Sequence, residues 1–415
     1  MKILVCDDKP AEGGNTLRAI EPRGDVTVQA GADLRKALRS FFKDVTTTLD
    51  GESTVNDELD AQHFAGYDLA IVDNNLTGLE LDGARLTAEA IIGYLRAFTS
   101  IPYIVSLNKN LHVDFDLRFL FGDYQSLADL ALNTGHLSHD RLWNAEPVSG
   151  FAPWYWPRLP YAAERRKEQE GAVTEKLHES VWKVLGFPPQ ADEYLSFRAK
   201  AALVTPANPV ARETTFETFF AISRALAPAE KETLEAGKAS GLARRAIGRV
   251  ATYEVDRWLR RHVLGPQDVL IDLPHLLAQM PFLLGDRVSE LGAWNAVART
   301  AKEPFGLDKT VFKAHIEGAQ FTESSWVPTP CFWWPSLKAD ERLTELYFDA
   351  NAEWPDFVFC EDVSQFVPVA GTTPLGPPKE INTEIAGSWA TRYAVVAGDY
   401  QYSPRSHIAG TASDS

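Results

Sequence analysis

Asp7, Asp8 and Asp73 are the residues with the clearest chemistry in this 415-residue chain. The first two follow the apolar run ILVC, and the third follows LAIV within YDLAIVDNN. Carboxylates brought together repel one another unless a cation sits between them, and hard oxygen ligands with room for water suit Mg²⁺. Ser106 ends a further run, IPYIVS, and adds a hydroxyl. Metal, carboxylate and hydroxyl together suit phosphoryl transfer. A carboxylate oxygen attacks phosphorus while the cation and nearby donors neutralise the equatorial oxygens.

Such groups meet only if a sheet gathers them. Lys2–Cys6, Asp25–Gln29, Tyr67–Val72 and Ile101–Ser106 are short apolar or β-branched runs, and Leu127–Leu132 is a weaker fifth. Helical spacing separates them at Asp33–Lys43 and Gly83–Phe98, whereas Asp44–Gly66 is polar and unpatterned and reads as a surface insertion. Alternation of this kind predicts an α/β domain, a doubly wound five-stranded parallel sheet over residues 1–145. In such a sheet the carboxyl ends of neighbouring strands converge on the edge where ligands bind.

Charge divides along the chain. Residues 1–145 hold 22 acidic and 13 basic side chains, residues 146–325 hold 23 of each, and residues 326–415 hold 12 and 5, for a total of −16. This balance argues against a protein that coats nucleic acid or anionic membrane with its whole surface. The Pro/Trp-rich stretch at residues 147–160 marks the first boundary. Residues 146–325 read as a mainly α-helical domain, with helices near Tyr161–Leu185, Thr215–Leu226, Gly241–Leu264 and Asp286–Ala301. Residues 326–415 read as a Pro/Trp-rich segment of strands and loops, with runs at Phe357–Cys360 and Tyr393–Ala397. Three scattered cysteines make no disulfide framework, the first residues do not form a signal peptide, and no apolar run spans a membrane, so a cytoplasmic location is expected.

The first 140 residues or so resemble the receiver domain of two-component response regulators. The likeness lies in ILVCDDKP, YDLAIVDNNLTG and IPYIVS, and in LELDGARLTAEAIIGYLR, which is similar to the loop and helix after a receiver's acceptor. The resemblance implies Asp73 as phosphoacceptor and Mg²⁺ held by Asp7, Asp8, Asp73 and the backbone carbonyl of Asn75. It implies Ser106 as the switch hydroxyl, a sensor histidine kinase as phosphodonor, and phosphorelay signalling with no dedicated enzymatic activity beyond phosphoryl acceptance and self-dephosphorylation. The chain departs from the pattern in the fifth strand, which ends in Leu132–Asn133–Thr134 without the family's lysine or its aromatic switch residue. Lys109, three residues past Ser106, is the nearest substitute, although its loop is not the family's position.

The alternatives to phosphorelay are a non-phosphorylated pseudo-receiver acting as an interaction scaffold and a DNA-binding regulator. The second rests on Gly241–Leu264, where Arg245, Arg249, Arg257, Arg260 and Arg261 spread over one side of a helix and predict a solvated basic face. The preceding LAPAEKETL resembles the start of a LuxR-type helix-turn-helix, which that family places at the C-terminus rather than mid-chain. His136 with His139, the lone Cys331 and Cys360, and the recurring Trp-Pro pairs make no recognisable site. No phosphate-binding loop, nucleophile elbow, zinc-protease or dinucleotide motif is present. Partners expected from the whole chain are the kinase and a protein partner or a second copy, with no membrane.

Overall fold

A computed structural model describes residues 1–49, 63–81, 83–108, 126–132, 134, 137, 142–143, 158–189, 191–204, 210–238, 240–264, 267, 269–298, 306–322, 325–327, 330–349, 357–360, 365–368, 372–374 and 394–396. The first segment contains β1 (Lys2–Asp7), α1 (Pro10–Ile20), β2 (Asp25–Ala30), α2 (Gly31–Leu49), β3 (Leu69–Asp73), α3 (Ala88–Phe98), β4 (Tyr103–Leu107) and β5 (Leu130–Leu132). The five strands form one parallel sheet in the order β2-β1-β3-β4-β5. This is the 2-1-3-4-5 order of doubly wound α/β folds, so the expected architecture is the observed one.

Apart from the polar residues near their ends, the interior strands are apolar because helices cover both faces of the sheet. Ile3, Leu4, Leu69, Ala70, Ile71, Val72, Ile104 and Val105 are completely buried. The edge strand β2 is only half covered, and its sequence DVTVQA alternates accordingly. Thr87 caps α3 by accepting a hydrogen bond from the Ala90 N–H at 3.2 Å. The loop reading of Asp44–Gly66 is corrected in part. Helix α2 continues to Leu49 because Val45 and Thr48 extend the buried stripe begun by Leu34, Leu38 and Phe41.

The next segment is helical: α4 (Leu159–Glu175), α5 (Phe216–Ile222), α6 (Pro228–Ala236) and α7 (Gly241–Trp258), with α7 ending in a wide π-type turn at Leu259–Leu264. Ser240 caps α7 by accepting from the Ala243 N–H at 3.1 Å. Helix α7 packs against α3, α4 and α5. Its contact with α4 is close at Gly248, where a Cβ would stand 2.3 Å from Thr174 Oγ1 and 3.2 Å from the Thr174 Cα. Beyond it lie β6 (Leu270–Asp272), α8 (Leu273–Gln279), α9 (Leu291–Ala298) and β7 (Cys331–Trp333). Strands β6 and β7 form an antiparallel ladder, and β8 (Phe357–Cys360) pairs with β9 (Gln365–Pro368).

The solvated basic face expected over Gly241–Leu264 is the clearest correction. Arg249, Arg257 and Arg260 are buried, Arg245 and Arg261 are partly covered, and Arg244 is the exposed arginine of α7. The arginines run along a side of the helix that faces α3, α4 and the strand starts. Arg249 Nη1 donates to the Ala97 carbonyl at 3.2 Å and Arg257 Nη1 to the Ser126 carbonyl at 3.4 Å. The neutral charge balance of this segment reflects acids that answer the arginines inside the protein. No face of α7 made of these side chains is open to track a phosphate backbone.

Candidate metal centre

At the carboxyl end of the strands, β1 delivers Asp7 and Asp8 and β3 delivers Asp73. One carboxylate oxygen from each lies within 4.8 Å of the others. Asp7 and Asp73 are buried and Asp8 is half-buried. Local backbone geometry orients the three. The Lys9 N–H donates to Asp7 Oδ1 at 2.9 Å, and the Asn75 N–H reaches Asp73 Oδ1 at 3.5 Å. Thr77 Oγ1 donates to Asn75 Oδ1 at 2.8 Å and so steadies the loop after β3.

Gly78 belongs to this arrangement too. Its N–H donates to Asp8 Oδ2 at 2.9 Å, and a Cβ there would stand 2.5 Å from the same oxygen. Only the absence of a side chain lets the loop approach so closely. Gly78 closes the stretch YDLAIVDNNLTG, yet the sequence alone does not link it to Asp8.

The residues fit a hard divalent cation. Asp8 Oδ1 is buried with no hydrogen-bond partner, and a carboxylate oxygen so placed is costly unless something positive faces it. All the donors are oxygens, the set Mg²⁺ prefers. Asp7, Asp8 and Asp73 are therefore brought together as expected, and Asn75 lies in the loop directly after them. Ser106 is buried in β4, in register with Val72, the residue before Asp73. Lys109, together with His136 and His139, lies outside the described residues.

A second polar cluster, at the amino end of the strands, was not anticipated. Asp129, just before β5, accepts from Arg96 Nη2, from the Ile104 N–H at 2.7 Å and from Arg166 Nη2 at 2.9 Å. Arg166 continues to Asp256 Oδ2 at 2.6 Å, and Arg260 Nη2 stands 2.9 Å from the same oxygen. Asp256 is buried, yet Arg260, Arg166 and Arg165 outweigh the effect of burial and hold its carboxyl below the ordinary carboxylate range. Glu170 shows the opposite balance. Burial pushes it up to about 7 despite Arg96, Arg249 and Arg166 nearby. The partners are distant in sequence, 33 residues for Arg96–Asp129 and 90 for Arg166–Asp256, so no local motif announces them.

Among the described residues, no helix is long and apolar enough to cross a membrane. No protein-family model matches the chain, and no curated protein matches it. A solved structure of the RcsB response regulator of Salmonella typhimurium, described for its conformational dynamism in DNA interaction, aligns with 14% identity and a TM-score of 0.22, covering 48% of this chain and 76% of that one. The fold assignment rests on the strand order itself: a doubly wound parallel sheet of five strands with three aspartates at its carboxyl end.

Proposed function

We propose that the N-terminal sheet is a Mg²⁺-dependent phosphoryl acceptor of the response-regulator kind, with Asp73 as the acceptor and the helical segment as its output. The observation that carries this reading is the convergence of Asp7, Asp8 and Asp73 within 4.8 Å. Asp7, Asp8, Asp73 and the Asn75 carbonyl would hold the cation, which when bound supplies positive charge to the phosphoryl oxygens. An Asp73 carboxylate oxygen forms the new P–O bond while the donor's bond to phosphorus breaks, and the leaving group departs with its electron pair. This reading assigns Ser106 as the hydroxyl that donates to the phosphoryl group and Lys109 as the lysine beside it. The natural donor is a sensor histidine kinase.

The test is intact-mass measurement of the full chain after incubation with acetyl phosphate, with and without Mg²⁺. The expected result is a gain of one phosphoryl group that requires Mg²⁺ and is lost in Asp73→Ala. No gain, or a gain that survives Asp73→Ala, sinks the proposal.

A second reading, a pseudo-receiver that serves as an interaction scaffold, is favoured by two observations. Strand β5 ends without a lysine, and α7 already packs on α3 at the side where the strands begin. A phosphate-affinity gel separates the readings, since a shifted band abolished by Asp73→Ala excludes a scaffold alone.

A further inference from the structure

We propose that Arg35, on α2, is a phosphoryl-binding residue of the acidic end, where its guanidinium donates to an oxygen of the phosphoryl group that Asp73 accepts. The inference rests on the phosphoryl-acceptor reading above and gives that site a cation from outside the strand ends.

Helix α2 is brought to the site by its own first residue. Ala30 is in register with Asp7, so the chain leaves β2 beside the acids and enters α2 at Gly31. Gly31 has φ +53°, and a Cβ there would stand 3.3 Å from Pro10 Cδ and 3.6 Å from the Asp8 carbonyl oxygen. A glycine thus seats the start of α2 against the loop after β1. Arg35 lies about one turn further on, and its Nη2 reaches the Gly78 carbonyl at 3.5 Å. The N–H of the same Gly78 holds Asp8 Oδ2 at 2.9 Å. Arg35 therefore spans the two segments that flank Asp8, the start of α2 and the loop after β3.

Two observations point to an anion as the partner of this side chain. Among the described residues no carboxylate pairs with Arg35, and its hydrogen bond to Gly78 is long for an N–H donor. Its Nε is buried with no hydrogen-bond partner, which is costly for a charged donor. Lys9, directly after Asp8, differs, since its ammonium already pairs with Glu12 at 2.7 Å.

The chemistry of the transfer calls for such a group. Asp7, Asp8 and Asp73 with one Mg²⁺ sum to a single negative charge. Phosphorylation of Asp73 replaces a monoanion by a group carrying up to two negative charges, so these groups gain up to one negative charge. A guanidinium beside them offsets it, and its planar fork matches two phosphoryl oxygens. In the step itself the bond from Asp73 to phosphorus forms, the donor's bond breaks, and the leaving group takes the electron pair. Arg35 stays protonated throughout.

The test follows phosphoryl gain over time by intact mass, using the full chain, acetyl phosphate and saturating Mg²⁺. It compares the unaltered protein with Asp73→Ala, Arg35→Gln and Arg35→Lys, and reads Mg²⁺ affinity separately from thermal unfolding at graded ion concentrations. Arg35→Gln should slow the Asp73-dependent gain at least tenfold while Mg²⁺ affinity stays within twofold. Arg35→Lys keeps the charge and loses the fork, so its rate should fall between the other two. A role confined to steadying the loop would act through Gly78 on Asp8 and weaken Mg²⁺ binding. Equal losses of rate and of Mg²⁺ affinity therefore overturn the proposal, as does an unchanged rate in Arg35→Gln. If Arg35→Gln does not fold, a full rate in Arg35→Lys overturns it instead. Any of these results beside an Asp73-dependent gain in the unaltered protein strikes this inference alone. No such gain strikes the phosphoryl-acceptor reading, and this inference with it.

Discussion

At the carboxyl end of the strands, three aspartates stand within 4.8 Å of one another, and one of them keeps a buried oxygen without a hydrogen bond. At the amino end, Arg96, Asp129, Arg166, Asp256 and Arg260 form an alternating chain in which each charge faces its opposite. Both sites bury charge, and they solve the resulting problem differently. The carboxyl end gathers three carboxylates and suits a mobile cation brought from solution. The amino end supplies its own counter-charges from four separate elements and so welds those elements together. A site meant to change state resembles the first, and a site meant to hold position resembles the second.

The sharpest way to break this contrast is Asp129→Ala. It strips a carboxylate shared by two buried guanidiniums, and breaking a buried pair from one side costs about 3–5 kcal/mol. Urea unfolding should show that loss, and a loss below about 1 kcal/mol would mean that the cluster does not weld the fold.

Glu170 tests the same end through pH. Its folded pKa, raised to about 7 by burial, exceeds the ordinary 4.5. Between those values the folded state binds more protons than the unfolded, so this group's contribution to stability falls as pH rises from 4.5 to 7. The swing amounts to about 3 kcal/mol. Glu170→Gln should flatten the stability–pH curve over that interval, and an unchanged slope would show that another group titrates there.

Asp8→Asn probes the acidic end and should have the opposite sign. Without metal it removes one of three mutually repelling charges while keeping an acceptor for the Gly78 N–H. Metal-free stability should rise by about 1 kcal/mol. The stabilisation that Mg²⁺ confers on the unaltered protein should disappear, as thermal unfolding with and without the ion would reveal. Gly78→Ala is the mildest change. The new methyl displaces the far end of the Asp8 side chain, so stability should shift by less than about 1 kcal/mol while Mg²⁺ binding weakens measurably in a titration. Wild-type Mg²⁺ affinity in this variant would show that the Asp8–Gly78 contact does not orient the ligand.

The acidic end was largely legible in the sequence because its parts are local. Each aspartate follows a continuous apolar run, and a parallel sheet puts such run ends side by side. Strands β1, β3 and β4 were legible for the same reason. Helix α1 was not, since Gly13 and Gly14 dilute its helical signal and only the Pro10 start hints at it. Strand β5 is three residues long and is set by its neighbour β4 more than by its own pattern. The amino-end cluster left no trace, because periodicity places arginines on one side of α7 without saying whether that side faces water or carboxylates. The wheel of Arg249, Arg257 and Arg260 was right as geometry and misleading as environment.

The docking of α7 bears on how such a chain is inherited. Arg249 holds the Ala97 carbonyl of α3, and Arg166 of α4 holds Asp129 beside β5. A gene fragment ending at residue 145 would keep Arg96 and Asp129 but lose Arg166, Arg249 and Asp256. It would also uncover the apolar surface that α4 and α7 shield. Domains that evolution shuffles freely come away with their surfaces intact. This sheet is grafted to its helices, so recombination would have to carry the two together, and changes in one are constrained by the other.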